Sequence, residues 1–394
     1  MDWLERYVKS AELDFVACPF EVWAIQGSNA SMGYATHAAF RFFGKFPPPV
    51  ARRFIKELHH PSLGPVVDTM VGSGTTLVES SILGRKAIGL DINPLSVLIS
   101  NVKVTKLERD QVEQTIDEYE RHMSKGASTT GDISDYIPKD RYMDHWFFPA
   151  VQKQLAQTRL FIENIGPADV KNLFTASLAA SIRSCSRASN NLGRMFLDPA
   201  IEPVDVCPII VNRVRKILVG LEEIPDEKYS EARLHNSMEP LADDLSSNLV
   251  ICHPPYFNVY KFSSIFKFEM LWTGFNPKEV RIDEVRESFK IGKPERVDLY
   301  VEDLLKSVRN TAPTLVKGGW LILMMGDTTI HEERINTTSL ILRGLQSADY
   351  GLTLDKFIIR VPKHTEASYA AAQRRDGDQV GVKLFDHILV LRKR

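Results

Sequence analysis

Two stretches of the chain carry residue types that could do chemistry. Residues 248–258 read NLVICHPPYFN, an apolar run that leads straight into His253-Pro254-Pro255-Tyr256. Two successive prolines fix the backbone and remove two N–H donors, so the turn presents carbonyl acceptors at what should be the carboxyl end of a strand. A rigid, acceptor-rich turn at the mouth of a sheet suits a substrate that donates N–H. Residues 66–94 read VVDTMVGSGTTLVESSILGRKAIGLDINP. The pattern predicts a buried strand ending at Asp68, a turn through Gly72 and Gly74, a helix from about Thr75, and a second strand ending at Asp91. The glycines let the backbone turn sharply and approach a ligand closely. The helix offers its positive end to an anionic group. An acid roughly twenty residues on commonly accepts hydrogen bonds from ribose hydroxyls. Together these features describe a site for an adenosine-containing ligand.

Three ligands compete for it. ATP calls for a G-x-x-x-x-G-K-[ST] loop, and no lysine follows these glycines. NAD calls for G-x-G-x-x-G, and the third position is Leu77. S-adenosylmethionine needs one glycine-rich turn for its amino-acid part and one acid for its ribose. A glycine turn alone also serves ordinary α/β proteins, so the second motif carries the distinction.

The elements that must position these motifs follow from patterning over 394 residues, enough for one large α/β domain with an insertion or for two domains. Strand patterns appear at SNLVICHPPY, GGWLILMMGD, LDKFIIRVP and DHILVLRK. Between about 105 and 230, LERDQVEQTIDEYERHMSK, AVQKQLAQTRLFIENI, ADVKNLFTASLAASIRS and VNRVRKILVGLEEI repeat apolar residues at helical spacing. The order predicts a mostly parallel α/β sheet, Rossmann-like, interrupted by a helical insertion. VARRFIKEL is read as a helix, and the triple proline Pro47 to Pro49 before it as loop. With 49 Lys+Arg against 50 Asp+Glu, any basic surface is local. Four cysteines without C-x-x-C spacing point to free thiols, a reducing compartment and no structural zinc. The amino end lacks a signal-peptide pattern and no run of about 18 apolar residues occurs, so the expectation is a cytoplasmic protein with no membrane partner. The histidines, including His59-His60 and His331, lack ligand spacing, so no metal is expected.

These motifs, in this order, resemble the DNA amino-methyltransferases, which methylate the exocyclic nitrogen of adenine or cytosine and carry [DNS]-P-P-[YFW]. DTMVGSGTT is similar to that family's D-P-F-x-G-S-G-T-T cofactor motif, THAAFRFFGKFPPP to its K-F-x-P segment, and LVKGGWLILMMGDT to its L-K-x-G-G strand. The resemblance implies a class I methyltransferase fold formed by 1–109 and 230–394, with 110–229 as a helical target-recognition region. It implies that Lys45, Phe46, Gly72, Gly74 and Thr75 hold the methionine part of S-adenosylmethionine and Asp91 its ribose. Asp68 would open the cofactor motif, Met70 would replace the aromatic beside the adenine, and Asn236 would stand where the family has an acid that touches it. His253, Pro254, Pro255 and Tyr256 would form the catalytic turn.

An aromatic amine is a poor nucleophile because its lone pair is delocalised into the ring. Acceptors at the 253 side chain and the Pro254 carbonyl would free that lone pair for the methyl group. The base would leave the duplex and stack on Tyr256. No Pro-Cys nucleophile is present, which predicts no covalent intermediate. Histidine accepts only when neutral, with an ordinary pKa of about 6.5, and His253 follows neither the adenine nor the cytosine habit of the family, although PPYFNVYKF leans to cytosine. Arg183, Arg187, Arg194, Asn190, Asn191, Arg213, Arg215 and Lys216 in the insertion, and Arg374-Arg375 near the carboxyl end, are candidate contacts to DNA or solvated faces. The aromatics of RYMDHWFFPAV are read as core. The resemblance also implies restriction–modification or defence, with a possible partner endonuclease. An RNA guanine amino-methyltransferase and a non-catalytic nucleic-acid binder are the rival readings.

Overall fold

The computed structural model describes residues 3–25, 31–125, 133–189, 195–227, 229–242, 245–286, 294–330, 333–362 and 385–394. Eight strands form its main sheet: β1 (Phe20–Ile25), β2 (Val66–Asp68), β3 (Ala87–Asp91), β4 (Ser230–Leu234), β5 (Ser247–Cys252), β6 (Leu315–Gly326), β9 (Leu352–Pro362) and β10 (Asp386–Lys393). A separate hairpin joins β7 (Thr328–Ile330) and β8 (Glu333–Ile335). The main sheet runs in the order β4-β3-β2-β5-β6-β10-β9-β1. Strand β10 is antiparallel to both neighbours and every other pairing is parallel. The mostly parallel α/β sheet of the expected class is therefore present.

Both faces of the sheet are covered, which is why its central strands read as continuous apolar runs. Alternate residues serve opposite faces. Val66, Leu249, Ile251, Ile322, Met324 and Ile388 join one core with the helices Pro48–Leu58 and Thr75–Ile82. Val67, Val250, Leu321, Leu323, Leu389 and Leu391 join another with Val297–Thr311 and Thr337–Ser347. The four long helices Arg109–Ser124, Pro149–Glu163, Ala168–Ser181 and Val206–Leu221 pack on one another and, through Ala168–Ser181, on Pro94–Val102. Their apolar faces merge with the first of these cores.

The chain leaves β2 toward β3 on one side and returns through β5 on the other. Such a reversal opens a crevice at the carboxyl ends of the strands. The switch lies between the two motifs singled out above.

Two expectations are corrected. Pro48 and Pro49 are the first turn of the helix Pro48–Leu58 rather than loop, with Pro47 at its cap. The first turn needs no N–H, and the proline ring already holds a helical φ. Strands β1 and β4, not read from sequence, complete the sheet at its two edges. Strand β4 (SEARL) has only two apolar residues and exposes its last two, so it lacks the apolar run of a central strand. The four cysteines are free thiols. Among the described residues no helix is long and apolar enough to cross a membrane.

Gly74 caps the helix Thr75–Ile82 at φ +78°, and an added Cβ would lie 3.0 Å from the Ser100 Cα. Gly74→Ala is expected to cost about 2 kcal/mol or more and to lower the melting temperature. A variant that melts with the wild type would show that the turn tolerates a side chain.

Candidate active site

The turn after β2 is stitched to both neighbouring strands. The Thr69 amide donates to the Ile251 carbonyl (3.1 Å) and the Val71 amide to that of Leu90 (2.9 Å). Asp68 faces into the turn: its carboxylate accepts from the Met70 amide (3.1 Å) and the Thr76 hydroxyl (2.5 Å). Asp91 closes the turn from β3, accepting from the Gly72 amide (2.9 Å) with one oxygen and from the Asn93 amide (2.9 Å) with the other. Each carboxylate oxygen keeps a second lone pair, so Asp91 retains capacity for a further donor. Burial disfavours the charged form of both acids. It pushes Asp68 up to about 7 and Asp91 up to about 6, against the amides and hydroxyl that lower them.

Below this turn lies a lysine with 1% exposure, Lys103, whose Nζ donates to the Ser73 carbonyl at 2.6 Å. Burial, with a smaller contribution from the Lys45 charge, pushes its pKa down to about 7. The Thr36 hydroxyl donates to the Lys103 carbonyl (2.9 Å), which fastens the segment before the helix Pro48–Leu58 to the residue that holds the turn. A second fastening is stronger. Glu79, fully buried in the helix Thr75–Ile82, accepts from His37 Nε2 (2.8 Å), Arg52 Nε (2.5 Å) and the Tyr34 hydroxyl. Burial pushes His37 down to about 4 despite its carboxylate partner. This clamp brings Lys45 and Phe46 to the crevice, where Lys45 Nζ donates to the His37 carbonyl (3.2 Å).

The second motif enters from β5. The Phe46 ring lies 5.5 Å from that of His253, and the His253 and Tyr256 rings meet edge to face, also at 5.5 Å. His253 Nε2 is 3.3 Å from the Tyr256 hydroxyl, which donates to Asp386 at 3.1 Å. Asp386 accepts from Arg360 at 2.5 Å. The Pro255 carbonyl accepts from the buried Tyr300 hydroxyl (2.8 Å), which pins the turn from behind.

The structure brings eleven of the thirteen sequence-derived residues to one cavity: Lys45, Phe46, Asp68, Met70, Gly72, Asp91, Asn236, His253, Pro254, Pro255 and Tyr256. Gly74 and Thr75 stand behind the lining at the helix start. The Asn236 amide oxygen accepts from the Met238 amide (3.0 Å) and so shapes its own loop. Four charged lining residues went unread: Asp283, Glu284, Arg360 and Asp386. Arg360 had a signal, since a lone arginine inside the apolar run FIIRVP must find a buried partner.

The basic residues within 110–229 are partly committed within the fold. Arg183 donates to the Ser189 carbonyl (3.1 Å), Arg187 to that of His145 (3.3 Å), and Arg215 pairs with Glu113 (2.9 Å). Arg213 is half-buried and Lys216 is exposed. Asn190, Asn191, Arg194, Arg374 and Arg375 lie outside the described residues. Of the aromatics in 141–151, Phe147 is core and packs on Phe268 and Trp272, as expected. Trp146 and Phe148 pack against the same core, and Tyr142 and Trp146 also line a second cavity beside the site.

Residues 10–102, which contain the K-F-x-P segment, the glycine turn and Asp91, match the model of the DNA methylase family. Over this segment the chain resembles the DNA methylases. It is similar to the Type II methyltransferase M.MvaI of Kocuria varians, 28% identical over 177 residues that cover 43% of this chain and 38% of that protein. Similarity to M.MjaII of Methanocaldococcus jannaschii is 35% over 81 residues, covering 20% of this chain and 15% of that protein. M.BsoBI of Geobacillus stearothermophilus is 21% identical over 284 residues, 64% of this chain and 55% of that protein. The chain thus spans 38%, 15% and 55% of the lengths of these three relatives.

Glu79→Ala would leave the buried, neutral His37 and the Tyr34 hydroxyl without their acceptor and is expected to lose about 2–3 kcal/mol. Arg52, with its side chain 35% exposed, can turn to solvent, so Arg52→Ala should cost about 1 kcal/mol. Thermal melting of the two variants checks this. Equal losses would move the weight of the clamp to the Arg52 pair.

Proposed function

We propose that this chain is a DNA methyltransferase that transfers a methyl group from S-adenosylmethionine to an exocyclic amino group, N4 of cytosine or N6 of adenine. The observation that carries this reading is that the glycine turn with Asp91 and the acceptor turn His253-Pro254-Pro255-Tyr256 open on one cavity. Its charge fits a cationic cofactor. Asp68, Asp91, Asp283 and Glu284 line it against Lys45, while Arg360 is paired with Asp386. When bound, S-adenosylmethionine supplies an electrophilic sulfonium methyl.

The chain's own residues then have these roles. Gly72, with Gly74 and Thr75 behind it, shapes the backbone that would hold the amino-acid part together with Lys45 and Phe46. Asp91 would accept from ribose hydroxyls, and Met70 and Asn236 would flank the adenine. His253 and the Pro254 carbonyl would accept the N–H bonds of the target amine and turn its lone pair out of the ring. The helices within 110–229 would make the target contacts. We extend the reading to restriction–modification or defence in the cytoplasm, with any partner endonuclease on another chain. The family resemblance supports that extension.

The direct test is to incubate the protein with S-adenosylmethionine and unmethylated duplex DNA, digest to nucleosides and analyse by mass spectrometry. N4-methyldeoxycytidine or N6-methyldeoxyadenosine is expected, and its loss in Tyr256→Ala. Cofactor binding without a methylated deoxynucleoside on duplex or single-stranded DNA would reject the activity. Methylated guanine in RNA would replace DNA by RNA as the substrate.

Acid should suppress turnover in two separable ways. Asp68 and Asp91, with raised pKa values of about 7 and 6, gain protons as pH falls and weaken attraction for a cationic ligand, which lowers kcat/KM. Protonated His253 cannot accept, which lowers kcat. His253→Asp should therefore restore kcat on the acid side while leaving the fall in kcat/KM. A wild-type kcat that is flat between about pH 6 and 8 would remove His253 as the acceptor.

A further inference from the structure

Building on the reading of the chain as a DNA amino-methyltransferase, we propose that the second cavity, walled by Tyr142, Trp146, Tyr260 and Phe268, takes the base next to the target on the same DNA strand. That base stacks there while the target base occupies the turn His253-Pro254-Pro255-Tyr256. The two cavities share a wall, since Val259 and Tyr260 line both. The wall grows directly out of the acceptor turn, with the Val259 amide donating to the Tyr256 carbonyl (3.2 Å). Asn258 is 3% exposed and sits at φ +55°, in the left-handed region that asparagine tolerates better than most residues. Its bend turns the chain out of the first cavity and sets Tyr260 at the boundary of the second.

The second cavity has the composition of a stacking site. Its volume, about 340 Å³, is in the range of small-ligand sites. Phe268 and Tyr260 are buried, and the Tyr260 ring is braced by those of Phe43 (5.9 Å) and Phe262 (6.2 Å). Trp146 is half-buried, 6.4 Å from the Phe268 ring, and Tyr142 is 43% exposed. Two rings thus form a fixed floor, and two present faces to an incoming ring. Aromatic faces receive any base, because every base has a π-face of its own.

Cations stand among these rings, as a phosphate backbone requires. Lys261 and Lys267 line the cavity, and the exposed Arg141 holds its guanidinium 4.5 Å from the Tyr142 ring. Lys267 lies 2.5 Å from Asp140 and Lys261 lies 3.9 Å from Glu284. An ammonium has three donors, so each lysine can add a phosphate oxygen to the carboxylate it already meets. Extruding a base from a duplex costs its stacking on both neighbours. An aromatic site one wall away offsets part of that cost by holding a neighbour that has lost the target as its partner.

The test pairs removal of the base with removal of the ring. The methylated position in a short duplex is located first, and two further duplexes carry an abasic site one nucleotide to either side of it. Tyr142 is exposed, so Tyr142→Ala leaves the fold intact. It should lower kcat/KM about tenfold or more on the intact duplex. On one of the two abasic duplexes it should lower kcat/KM by less than about twofold, because the base that met the ring is already gone. Trp146→Phe keeps a stacking face and should hold kcat/KM within about twofold. It should also lose most of the tryptophan quench that the wild type shows on binding the intact duplex. S-adenosylmethionine affinity by calorimetry should be unchanged in both variants.

Equal losses from Tyr142→Ala on the intact and both abasic duplexes would overturn the proposal, as would a quench that survives in Trp146→Phe. Loss of self-association in Tyr142→Ala with kcat/KM intact would give the cavity to a second copy of the chain and overturn it too. If the wild type methylates no nucleic acid, the functional reading fails. The presence or absence of a Trp146-dependent quench by a single-stranded oligodeoxynucleotide then decides whether the cavity takes a base.

Discussion

The hydrogen bond from the Gly72 amide to the Asp91 carboxylate, 2.9 Å long, joins the turn after β2 to the end of β3. The bond requires a backbone that no ordinary side chain favours, at φ +50°. It also requires a carboxylate held in a buried place, and burial raises the pKa of Asp91 to about 6. Because the turn is fastened in this way, the helix Thr75–Ile82 starts directly behind the crevice. Glu79 on that helix then holds Tyr34, His37 and Arg52, and with them the segment that carries Lys45 and Phe46. Each side of the site is thus positioned by a carboxylate whose partners lie on other elements.

The site is electrostatically divided. Asp68 and Asp91 stand in the part of the cavity formed by β2 and β3, where burial raises their pKa values to about 7 and about 6. A lysine below the turn is held near neutrality by the same physics, with a pKa lowered to about 7. The opposite wall, at the ends of β5, β6 and β10, is held by a paired carboxylate and guanidinium that together carry no net charge. A cationic donor and a neutral aromatic amine could each find the environment suited to it.

Much of this was legible in the sequence. The run from Val66 to Asp91, the helix it encloses and the strands β5, β6, β9 and β10 follow from apolar runs punctuated by glycine, proline and acid, because sheets covered on both faces need such runs. Strand β4 was not legible, since this edge strand buries too little to need an apolar run, whereas β1 carries the run Val22 to Ile25 and was missed. Pro48 and Pro49 misled because a proline that ends one helix can begin another.

What the sequence by itself determined about this protein is the chemistry on offer: a glycine turn with a following acid, and a rigid acceptor turn led by histidine. Local residue types set backbone freedom and donor or acceptor character without reference to the rest of the chain. Only the tertiary structure decided that Asp386 and Arg360, more than a hundred residues beyond His253, stand behind Tyr256. Strand order brings those residues together, and strand order is a property of how the whole apolar surface is buried, not of any one segment.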